Sequence, residues 1–367
     1  MPLPDYALVV GISRYPGIED LSGPENDANE FFSWVTSQDG GGVDPANTKL
    51  ILSSSFPPAP ATQDERPAQD QIYAFFNWMD NLSQANNQKR LGLHAGRRLW
   101  MFFSGHGFAP SLEASGVLMA NATVRQVRCI GAARWADQLY KGGLFDEVLL
   151  FQDACRSRIA AAELDALYLV LGDASAMQQR KRFYAFSAKD QKLSKEMPFP
   201  GGKVRGVFTA TLMDGLRGAA RDPVTGAINA RTLKTYLQDN MSKWLSDADK
   251  NNPDIAQEPD VRDFDVLDIV SPPVAAPAAG PAGPAGAAPA QSDDMYSVTI
   301  HLPAAGLSVT LQDGAFQPLM TANPAEQTWS IKLRRGLYRL IVPGRPDTIF
   351  PVTGPGSGPA GAIDVNA

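Results

Sequence analysis

Two side chains that could take part in covalent chemistry follow apolar runs of the sequence. His106 stands in SGHG directly after RLWMFF, and Cys155 stands in DACR directly after EVLLFQ. The carboxyl ends of neighbouring parallel strands meet at one edge of a sheet, about 5 Å apart, so we expect the two side chains to emerge side by side. A thiol attacks a carbonyl carbon as its thiolate, and a nearby imidazole takes its proton and then protonates the leaving amine. The pair therefore indicates nucleophilic catalysis.

Each of these residues taken alone also fits a structural role. Cys155 follows an apolar strand, as packed thiols often do, and the glycines on both sides of His106 are typical of a turn at a strand end. The two positions taken together favour a Cys–His dyad. The remaining residues of these two types, Cys129, His94 and His301, lack a comparable context, and we expect them to be structural or surface residues.

The elements that must position this pair are predicted from alternating apolar and helical patterns. Continuous apolar runs are typical of strands buried on both faces, and strands separated by helices imply crossovers in a mostly parallel sheet. We therefore predict an α/β fold with helices on both faces of the sheet. The predicted strands are residues 6–12, 48–52, 98–103, 147–152 and 183–187. The first predicted helix starts with a capping box at 22–25 and runs through 35. The other predicted helices are residues 67–87, 133–141, 159–170, 207–218 and 230–246.

A compositional break divides the chain. Residues 272–290 contain only Ala, Pro and Gly apart from Val274. Such a segment cannot bury enough apolar surface to offset its ordering entropy, so an extended linker is expected. The predicted organisation is an α/β domain over 1–270, a linker over 271–292 and a small β-rich domain over 293–367. An antiparallel sandwich or barrel is predicted in that last domain from short alternating runs at 296–302, 307–312, 329–333 and 338–342.

The composition disfavours several classes of protein. With 33 basic and 39 acidic side chains the net charge is −6, which disfavours a general nucleic-acid binder. Two cysteines cannot form a disulfide framework or a four-thiolate zinc site, and three histidines leave little material for a metal centre. No apolar stretch approaches the roughly 18–20 residues that span a bilayer, and no secretory signal is recognisable. We therefore expect a cytoplasmic protein that binds neither nucleic acid nor membrane.

The order SGHG followed by DACRS resembles the caspase-like cysteine peptidases of the metacaspase and orthocaspase type. The spacing of His106 and Cys155 is close to the roughly 50 residues that separate the two in caspase signatures. YALVVGISRY and LSGPENDANEF resemble the first strand and the following helix start of that family, and FYAFSAKDQ and GVFTATLMDGL resemble elements beyond the cysteine. The similarity covers about residues 5–270 and implies a caspase fold.

The resemblance also implies roles for individual residues. Cys155 would be the nucleophile, His106 its partner, and the backbone amides of Gly107 and Cys155 would hold the oxyanion. Asp153, together with Asp27 of the NDA segment, would line the primary specificity pocket, and two carboxylates there would select Arg or Lys. The alternatives are an Asp27 that stabilises the helix dipole and an Asp153 that bonds within a turn.

This sequence departs from the metacaspase pattern in two places. Pro24 and Glu25 replace a stretch that usually contains Cys, and Arg156 follows the nucleophile.

A basic cluster lies between the nucleophile strand and the next strand, where caspase relatives are often cut into two subunits. Its residues, Arg180, Lys181 and Arg182, are a possible self-cleavage site for an enzyme specific for Arg or Lys. A solvated charged turn is the alternative interpretation. A second basic loop is formed by Lys189, Lys192 and Lys195.

No cofactor or metal site is predicted. The resemblance implies that calcium activation is possible, because Ca²⁺ activates many metacaspases. Asp247, Asp249 and Asp254 are candidate ligands, but their spacing is not that of an EF-hand and lacks its central Gly and terminal Glu. The sequence pattern itself therefore gives calcium no support.

Three functions remain open from the sequence. The first is a cysteine endopeptidase that cuts proteins or peptides after Arg or Lys. The second is a caspase-fold protease that cuts after small or acidic residues, and the third is a non-catalytic interaction protein. The β-rich tail would serve as a recognition module for a regulatory protein, held near the site by its linker. The resemblance and the Ala/Pro/Gly-rich linker further suggest a bacterial source and a part in regulated death or antiphage defence.

Overall fold

The chain forms two compact units, Met1–Ala276 and Pro277–Ala367, each with its own hydrophobic core. The computed structural model describes residues 3–111, 114–158, 164, 169, 179–199, 201–256, 258–272, 296–313, 318–333, 336–343, 348–352 and 362–364. The predicted linker over 271–292 lies outside the described residues from 273 onward, as does the predicted helix over 159–170 apart from Leu164 and Leu169.

The first unit is built around a six-stranded sheet. Its strands and those of three small sheets are β1 (Tyr6–Gly11), β2 (Thr48–Leu52), β3 (Gly96–Ser104), β4 (Gly107–Ala109), β5 (Gly116–Leu118), β6 (Cys129–Ile130), β7 (Phe145–Asp153), β8 (Ser157–Arg158), β9 (Lys181–Phe186), β10 (Glu196–Pro198), β11 (Val204–Gly206), β12 (Ile228–Asn229), β13 (Asp260–Arg262) and β14 (Asp268–Val270). The order in the central sheet is β13-β9-β7-β3-β1-β2. All neighbours in it are parallel except β13, which runs antiparallel to β9 at the edge.

Helices cover both faces of this sheet, which confirms the predicted fold class. They are α1 (Pro24–Val35), α2 (Gln69–Gln88), α3 (Ala132–Gly142), α4 (Val207–Asp214), α5 (Ala230–Asn240) and the short α6 (Asp247–Lys250). Alternate strand residues point to opposite faces: Val10 and Met101 pack with α2 and α3, whereas Val9 and Phe102 pack with α1, α4 and α5. β1 and the middle parts of β3 and β7 are continuous apolar runs because both faces of the sheet are buried there.

The first helix begins at Pro24 as predicted, but without the predicted capping box. No side chain caps it from the N-cap residue, Gly23. The carboxylate of Glu196 accepts hydrogen bonds from the backbone amides of Ser22 and Gly23 instead. A negative charge at this end of a helix is favourable, because the unpaired amides and the helix dipole are positive there.

The C-terminal unit consists of two small sheets that share an apolar core, as the alternating runs predict. The strands are β15 (Tyr296–His301), β16 (Val309–Asp313), β17 (Pro318–Ala322), β18 (Thr328–Leu333), β19 (Gly336–Ile341), β20 (Thr348–Val352) and β21 (Ala362–Asp364). They form the sheets β18-β15-β21 and β17-β16-β19-β20. Val298, Ile300, Leu311 and Leu340 are among the residues buried between them. Strands β17, β20 and β21 were not predicted.

None of the helices in the described ranges is both long and apolar enough to cross a lipid bilayer.

Candidate active site

The loops that carry His106 and Cys155 leave the central sheet side by side. Strands β3 and β7 are parallel neighbours, and their last paired residues are Ser104 and Asp153. The pairing continues beyond the strands, since the Gly105 amide donates to the Asp153 carbonyl oxygen at 3.2 Å. His106 and Cys155 therefore lie at the same distance past the end of the sheet. The strand-end argument from the sequence is correct about this placement.

Gly107 lies directly against the cysteine loop. A Cβ at this position would come within 2.6 Å of both the Ala154 Cβ and the Cys155 carbonyl oxygen, so only glycine fits here without displacing the loop. Beyond this point β4 pairs with β8, with Phe108 opposite Ser157. The backbone of Gly107, whose amide was predicted to bind the oxyanion, is thereby held next to that of Cys155.

His106 is held by contacts from the loop that follows β1. The His106 backbone amide donates to the Tyr15 hydroxyl oxygen at 3.0 Å, and the two rings lie edge to face with centroids 4.7 Å apart. The imidazole Nε2 hydrogen-bonds to the Glu19 carbonyl oxygen at 2.8 Å. The ring is therefore oriented by Tyr15 and Glu19.

Cys155 is partly buried and makes one hydrogen bond through its thiol. Its Sγ donates to the Ser194 carbonyl oxygen at 3.8 Å. Burial, together with the negative charges of Asp153 and Glu196, raises the pKa of this thiol and so favours its protonated form. Among the described residues, no hydrogen bond joins the Cys155 thiol to the His106 ring. The structure thus brings the two loops together without forming the reactive contact.

The two candidate specificity carboxylates are deeply buried near each other. Asp27 is only 1% exposed and Asp153 only 5%. Asp153 accepts hydrogen bonds from the Ser194 hydroxyl at 2.6 Å and from the Thr209 hydroxyl and amide at 2.7 and 3.0 Å. Asp27 accepts from the Ser104 hydroxyl at 3.0 Å and from the Gly206 amide at 3.1 Å. Every one of these donors belongs to the protein itself.

Gly206 lies between the two carboxylates and closes the space around them. A Cβ at this position would lie 1.9 Å from Asp153 Oδ2 and 3.1 Å from Asp27 Oδ2. The neighbouring Arg205 places its Nε 3.9 Å from Asp27 Oδ1 and binds Glu30 at 2.6 Å. The backbone of β11 therefore packs directly against both carboxylates.

The two carboxyl groups differ in how well their charged forms are stabilised. Burial raises the pKa of both, and the charge of Asp153 raises the pKa of Asp27 further. The donors from Ser194 and Thr209 oppose this rise at Asp153. Asp27 is therefore the member of the pair that retains a proton to higher pH.

Arg156, the residue after the candidate nucleophile, is almost completely buried. Its guanidinium donates to the Asp260 carboxylate at 2.6 Å and lies over the Phe186 ring, 5.3 Å from the centroid. Its backbone amide donates to the Lys192 carbonyl oxygen at 3.0 Å. The cysteine loop is thereby tied to the edge strand β13 and to the segment that follows β9.

The basic cluster Arg180–Arg182 lies at the start of a strand and is not the solvated charged turn of the alternative interpretation. Self-cleavage at this cluster stays a prediction. Lys181 and Arg182 begin β9, which pairs with β7. Arg180 is buried and donates to the Tyr140 and Lys141 carbonyl oxygens. A protease requires an extended segment that can leave its surroundings, and a paired strand cannot do so without opening the sheet.

The second basic loop is paired with the candidate calcium ligands. Lys195 Nζ binds Asp249 Oδ1 at 3.0 Å, which leaves that carboxylate engaged by a lysine. No cluster of three or more His, Cys, Asp or Glu side chains suited to a metal ion occurs in the described part of the chain.

The remaining cysteine and histidines stand in other parts of the chain. Cys129 is buried in β6, and His94 lies 3.8 Å from Asp146. His301 belongs to β15 of the other unit.

Three residues that the sequence reasoning missed complete the surroundings of the site. They are Ser194, Gly206 and Thr209, which contact Asp153 or Asp27. Each reaches its carboxylate across 41 or more positions of sequence, and a serine, a glycine or a threonine carries no local signal of such a contact.

Comparison with known proteins gives consistent matches for the first unit. A family model described as caspase domain matches residues 4–261. A probable protease from a Desulfuromonadales bacterium is 27% identical over 255 residues, which are 65% of this chain; the chain spans only 28% of that relative's length. The solved structures of pro-sf-caspase-1 and of caspase-1 from Spodoptera frugiperda are 11% and 12% identical, with TM-scores of 0.39 and 0.45. These matches cover 71% and 74% of this chain and 91% and 92% of those chains.

Proposed function

This chain belongs to the caspase-domain family of peptidases, and from that premise we propose that it is a cysteine endopeptidase that cuts protein or peptide chains after Arg or Lys. The placement of His106 and Cys155 supports the proposal most directly. Both residues lie just beyond the paired ends of β3 and β7, where loops from adjacent parallel strands meet.

The proposed chemistry uses the thiol as nucleophile and the imidazole as its acid–base partner. His106 takes the thiol proton, and the thiolate of Cys155 adds to the substrate carbonyl carbon. The carbon–nitrogen bond then breaks, the amine leaves with the proton from His106, and a thioester remains on the sulfur. Water cleaves the thioester and restores the free thiol. The backbone amides of Gly107 and Cys155 are the proposed donors to the oxyanion.

A hydrogen bond between thiol and imidazole is required before the first step. In the structure His106 binds Glu19 through Nε2, so Nδ1 is the ring nitrogen that would meet the thiol, and the thiol of Cys155 must exchange the Ser194 carbonyl oxygen for it. Candidate acid–base contacts are often loose in enzymes without substrate and tighten in the complex. The raised pKa of the Cys155 thiol leads to the same requirement, because the thiolate forms only when the imidazole is close enough to take the proton.

The proposed preference for Arg or Lys rests on Asp27 and Asp153. They are buried carboxylates grouped behind the cysteine loop, and a cationic side chain that reached them would find negative charge in a medium of low polarity. Arg205, 3.9 Å from Asp27, already places a cation close to the pair.

A panel of fluorogenic peptides tests the proposal. Peptides with Arg, Lys, Asp, Leu or Ala at the cleavage position are incubated with the protein, with and without Ca²⁺, and with Cys155→Ala as the control. Turnover of the Arg and Lys peptides that disappears in the variant supports the proposal. A strict preference for Asp would contradict the role of the two carboxylates, and no turnover in any condition would favour a binding protein.

The family and the bacterial relative support a proposal about the cellular setting. We propose a cytoplasmic bacterial protease that acts in regulated death or antiphage defence, with a regulatory protein bound by the C-terminal unit. The experiment compares the survival of cells that carry the wild type with that of cells that carry Cys155→Ala after phage challenge. Equal survival of the two cultures would contradict the proposed part in defence.

A further inference from the structure

Arg205 lies beside the carboxylate pair and brings a positive charge to it. Its Nε is 3.9 Å from Asp27 Oδ1, and its side chain is only 16% exposed. The same Nε is buried and makes no hydrogen bond among the described residues, so it acts on Asp27 through its charge. Opposite charges at this distance attract each other strongly where water is largely excluded. Arg205 therefore favours the charged form of Asp27.

Two further contacts fix the guanidinium group of Arg205 in this place. Its Nη2 binds Glu30 Oε2 at 2.6 Å, and Glu30 lies about one turn after Asp27 in α1. The group also lies over the Phe199 ring, 5.5 Å from the centroid. The next residue, Gly206, donates through its amide to both Asp27 oxygens at 3.1 Å. Strand β11 therefore presents a backbone donor and a cation to the same carboxylate.

Asp27 and Asp153 are too close together to both carry a negative charge without help. A Cβ at Gly206 would touch an oxygen of each carboxylate, at 1.9 Å and 3.1 Å, so these two oxygens lie within about 5 Å of each other. Neighbouring buried carboxyl groups of this kind tend to share one proton. Asp153 has donors from Ser194 and Thr209, so the proton resides on Asp27. A substrate cation gains more from the pair once Asp27 has lost that proton.

We propose that Arg205 is a positioning residue, which lets Asp27 ionise at lower pH and so keeps both carboxylates ready for the guanidinium or ammonium group of a substrate. This inference rests on the proposed function and adds a residue that determines its specificity. Arg205 acts through Asp27 and does not have to touch the substrate. Its charge lowers the pKa of Asp27 and so opposes the rise caused by burial and by Asp153.

The other charges around Arg205 provide a matched comparison. Three further carboxylates face this region: Glu30 of α1, Glu196 of β10 and Asp214 of α4. Arg217 binds the same Glu30 carboxylate as Arg205, also at 2.6 Å, but its side chain is 51% exposed. In the described part of the chain Arg217 makes no ion pair with Asp27. The two arginines therefore share an acidic partner and differ in their contact with Asp27.

The first test measures kcat/KM for an Arg peptide as a function of pH in the full-length protein. On the acid slope of the profile Arg205→Gln should lie about tenfold below the wild type, the scale expected when a carboxyl group loses a cation about 4 Å away. Toward alkaline pH the variant should approach the wild type, because Asp27 then ionises without help. Arg205→Lys keeps the positive charge and should restore most of the acid slope, and Arg217→Gln should follow the wild type.

Two results of this test would overturn the proposal. An equal loss of kcat/KM at every pH in Arg205→Gln would show that Arg205 only supports the fold, and a gain at every pH would show that it repels the substrate. Alkylation of Cys155 by iodoacetamide over the same pH range reports on the thiol and the imidazole, and it should be the same in all these proteins. If the alkylation profile shifts as much as kcat/KM does, Arg205 acts on the reacting pair and the proposal is wrong.

The second test needs no substrate and follows the melting temperature against pH. Because the pKa of Asp27 is raised in the folded protein, stability is lost as the pH rises from the ordinary pKa of an aspartate to the raised one. In Arg205→Gln this loss should extend to higher pH than in the wild type, and Arg217→Gln should follow the wild type.

The two tests together separate this inference from the proposed function. If the wild type cuts Arg peptides and the melting curves of Arg205→Gln and the wild type have the same pH dependence, the inference is wrong and the proposed function stands. If no protein cuts an Arg or Lys peptide but the curves differ as expected, the proposed specificity is wrong, while the control of Asp27 by Arg205 stands.

Discussion

The carboxylate pair and the thiol–imidazole pair lie at the same rim but are held in opposite ways. Asp153 accepts three hydrogen bonds and Asp27 is fixed by Ser104 and Gly206, whereas the thiol of Cys155 makes a single contact and the ring of His106 binds only the Glu19 carbonyl oxygen among the described residues. Buried carboxylates need donors to remain in the interior, so the fold must supply them in advance. A partly exposed thiol and imidazole carry no such requirement. The candidate recognition groups are therefore preassembled, and the candidate reacting groups are not.

The largest effect should come from the reacting pair. Cys155→Ala removes the nucleophile, and we expect turnover of an Arg peptide to fall at least about a thousandfold, as in other enzymes that lose a nucleophile. Cys129→Ala is the matched control, because this second cysteine is buried in β6 and belongs to neither of the loops that carry Cys155 and His106. Steady-state kinetics compares them. Similar losses in both variants would show that Cys155 is merely structural.

The second-largest effect should come from Asp153, the carboxylate that accepts three hydrogen bonds. Asp153→Asn keeps the shape and removes the charge, so kcat/KM for an Arg peptide should fall about a hundredfold, the scale for one side of a buried charge pair. A Leu peptide should lose less than about threefold, because it has no charge to pair. Equal losses for both peptides would mean that Asp153 serves the structure and does not select the substrate.

Gly206→Ala tests how tightly the carboxylates are packed. The added methyl group would come within 1.9 Å of Asp153 Oδ2, so β11 must shift or the carboxylate must turn. We expect the free energy of unfolding to fall by about 1–3 kcal/mol, as for other overpacked sites. Urea denaturation followed by tryptophan fluorescence measures it. A change below about 0.5 kcal/mol in the free energy of unfolding would show that the structure around Asp27 and Asp153 accommodates the methyl group easily.

The smallest effect concerns the proton on Asp27. Burial and the neighbouring Asp153 raise the pKa of Asp27 in the folded protein, so the folded state keeps a proton that the unfolded chain has already lost. Stability should therefore fall as the pH rises from the ordinary pKa of an aspartate through the raised one. Asp27→Asn removes this dependence.

The melting temperature of Asp27→Asn should exceed that of the wild type by about 2–4 °C at the upper end of that range, and by less at low pH. Asp39→Asn is the control, since Asp39 is exposed after α1. A constant difference between Asp27→Asn and the wild type at every pH would contradict the explanation.

The sequence predicted the parts of the site that depend on single strands. Apolar runs mark β3 and β7, and their ends locate His106 and Cys155, because strand position follows from burial on both faces. The proximity of Asp27 to Asp153 came from a family resemblance and not from the residues themselves. Their functional roles remain proposals.

The parts that escaped prediction depend on contacts distant in sequence. Ser194 and Gly206 reach the carboxylates only after α4 and β11 have packed on the sheet, and the short strands β4 and β8 are too brief for a periodic pattern. The alternative of a solvated turn at Arg180–Arg182 was wrong, because charge usually indicates exposure. Here Arg182 lies in β9, and its guanidinium lies over the Phe264 ring while pairing with Asp137.

The ion pair between Arg156 and Asp260 has a consequence for the order in which the protein is made. The two residues are 104 positions apart, so a ribosome that has just released the cysteine loop has not yet built the acidic partner of its buried arginine. Removing one partner of a buried ion pair is strongly destabilising. The loop with Cys155 is therefore completed only when β13, the last strand of the sheet, arrives. A chain that ends before β13 lacks the acidic partner of Arg156, the residue beside Cys155.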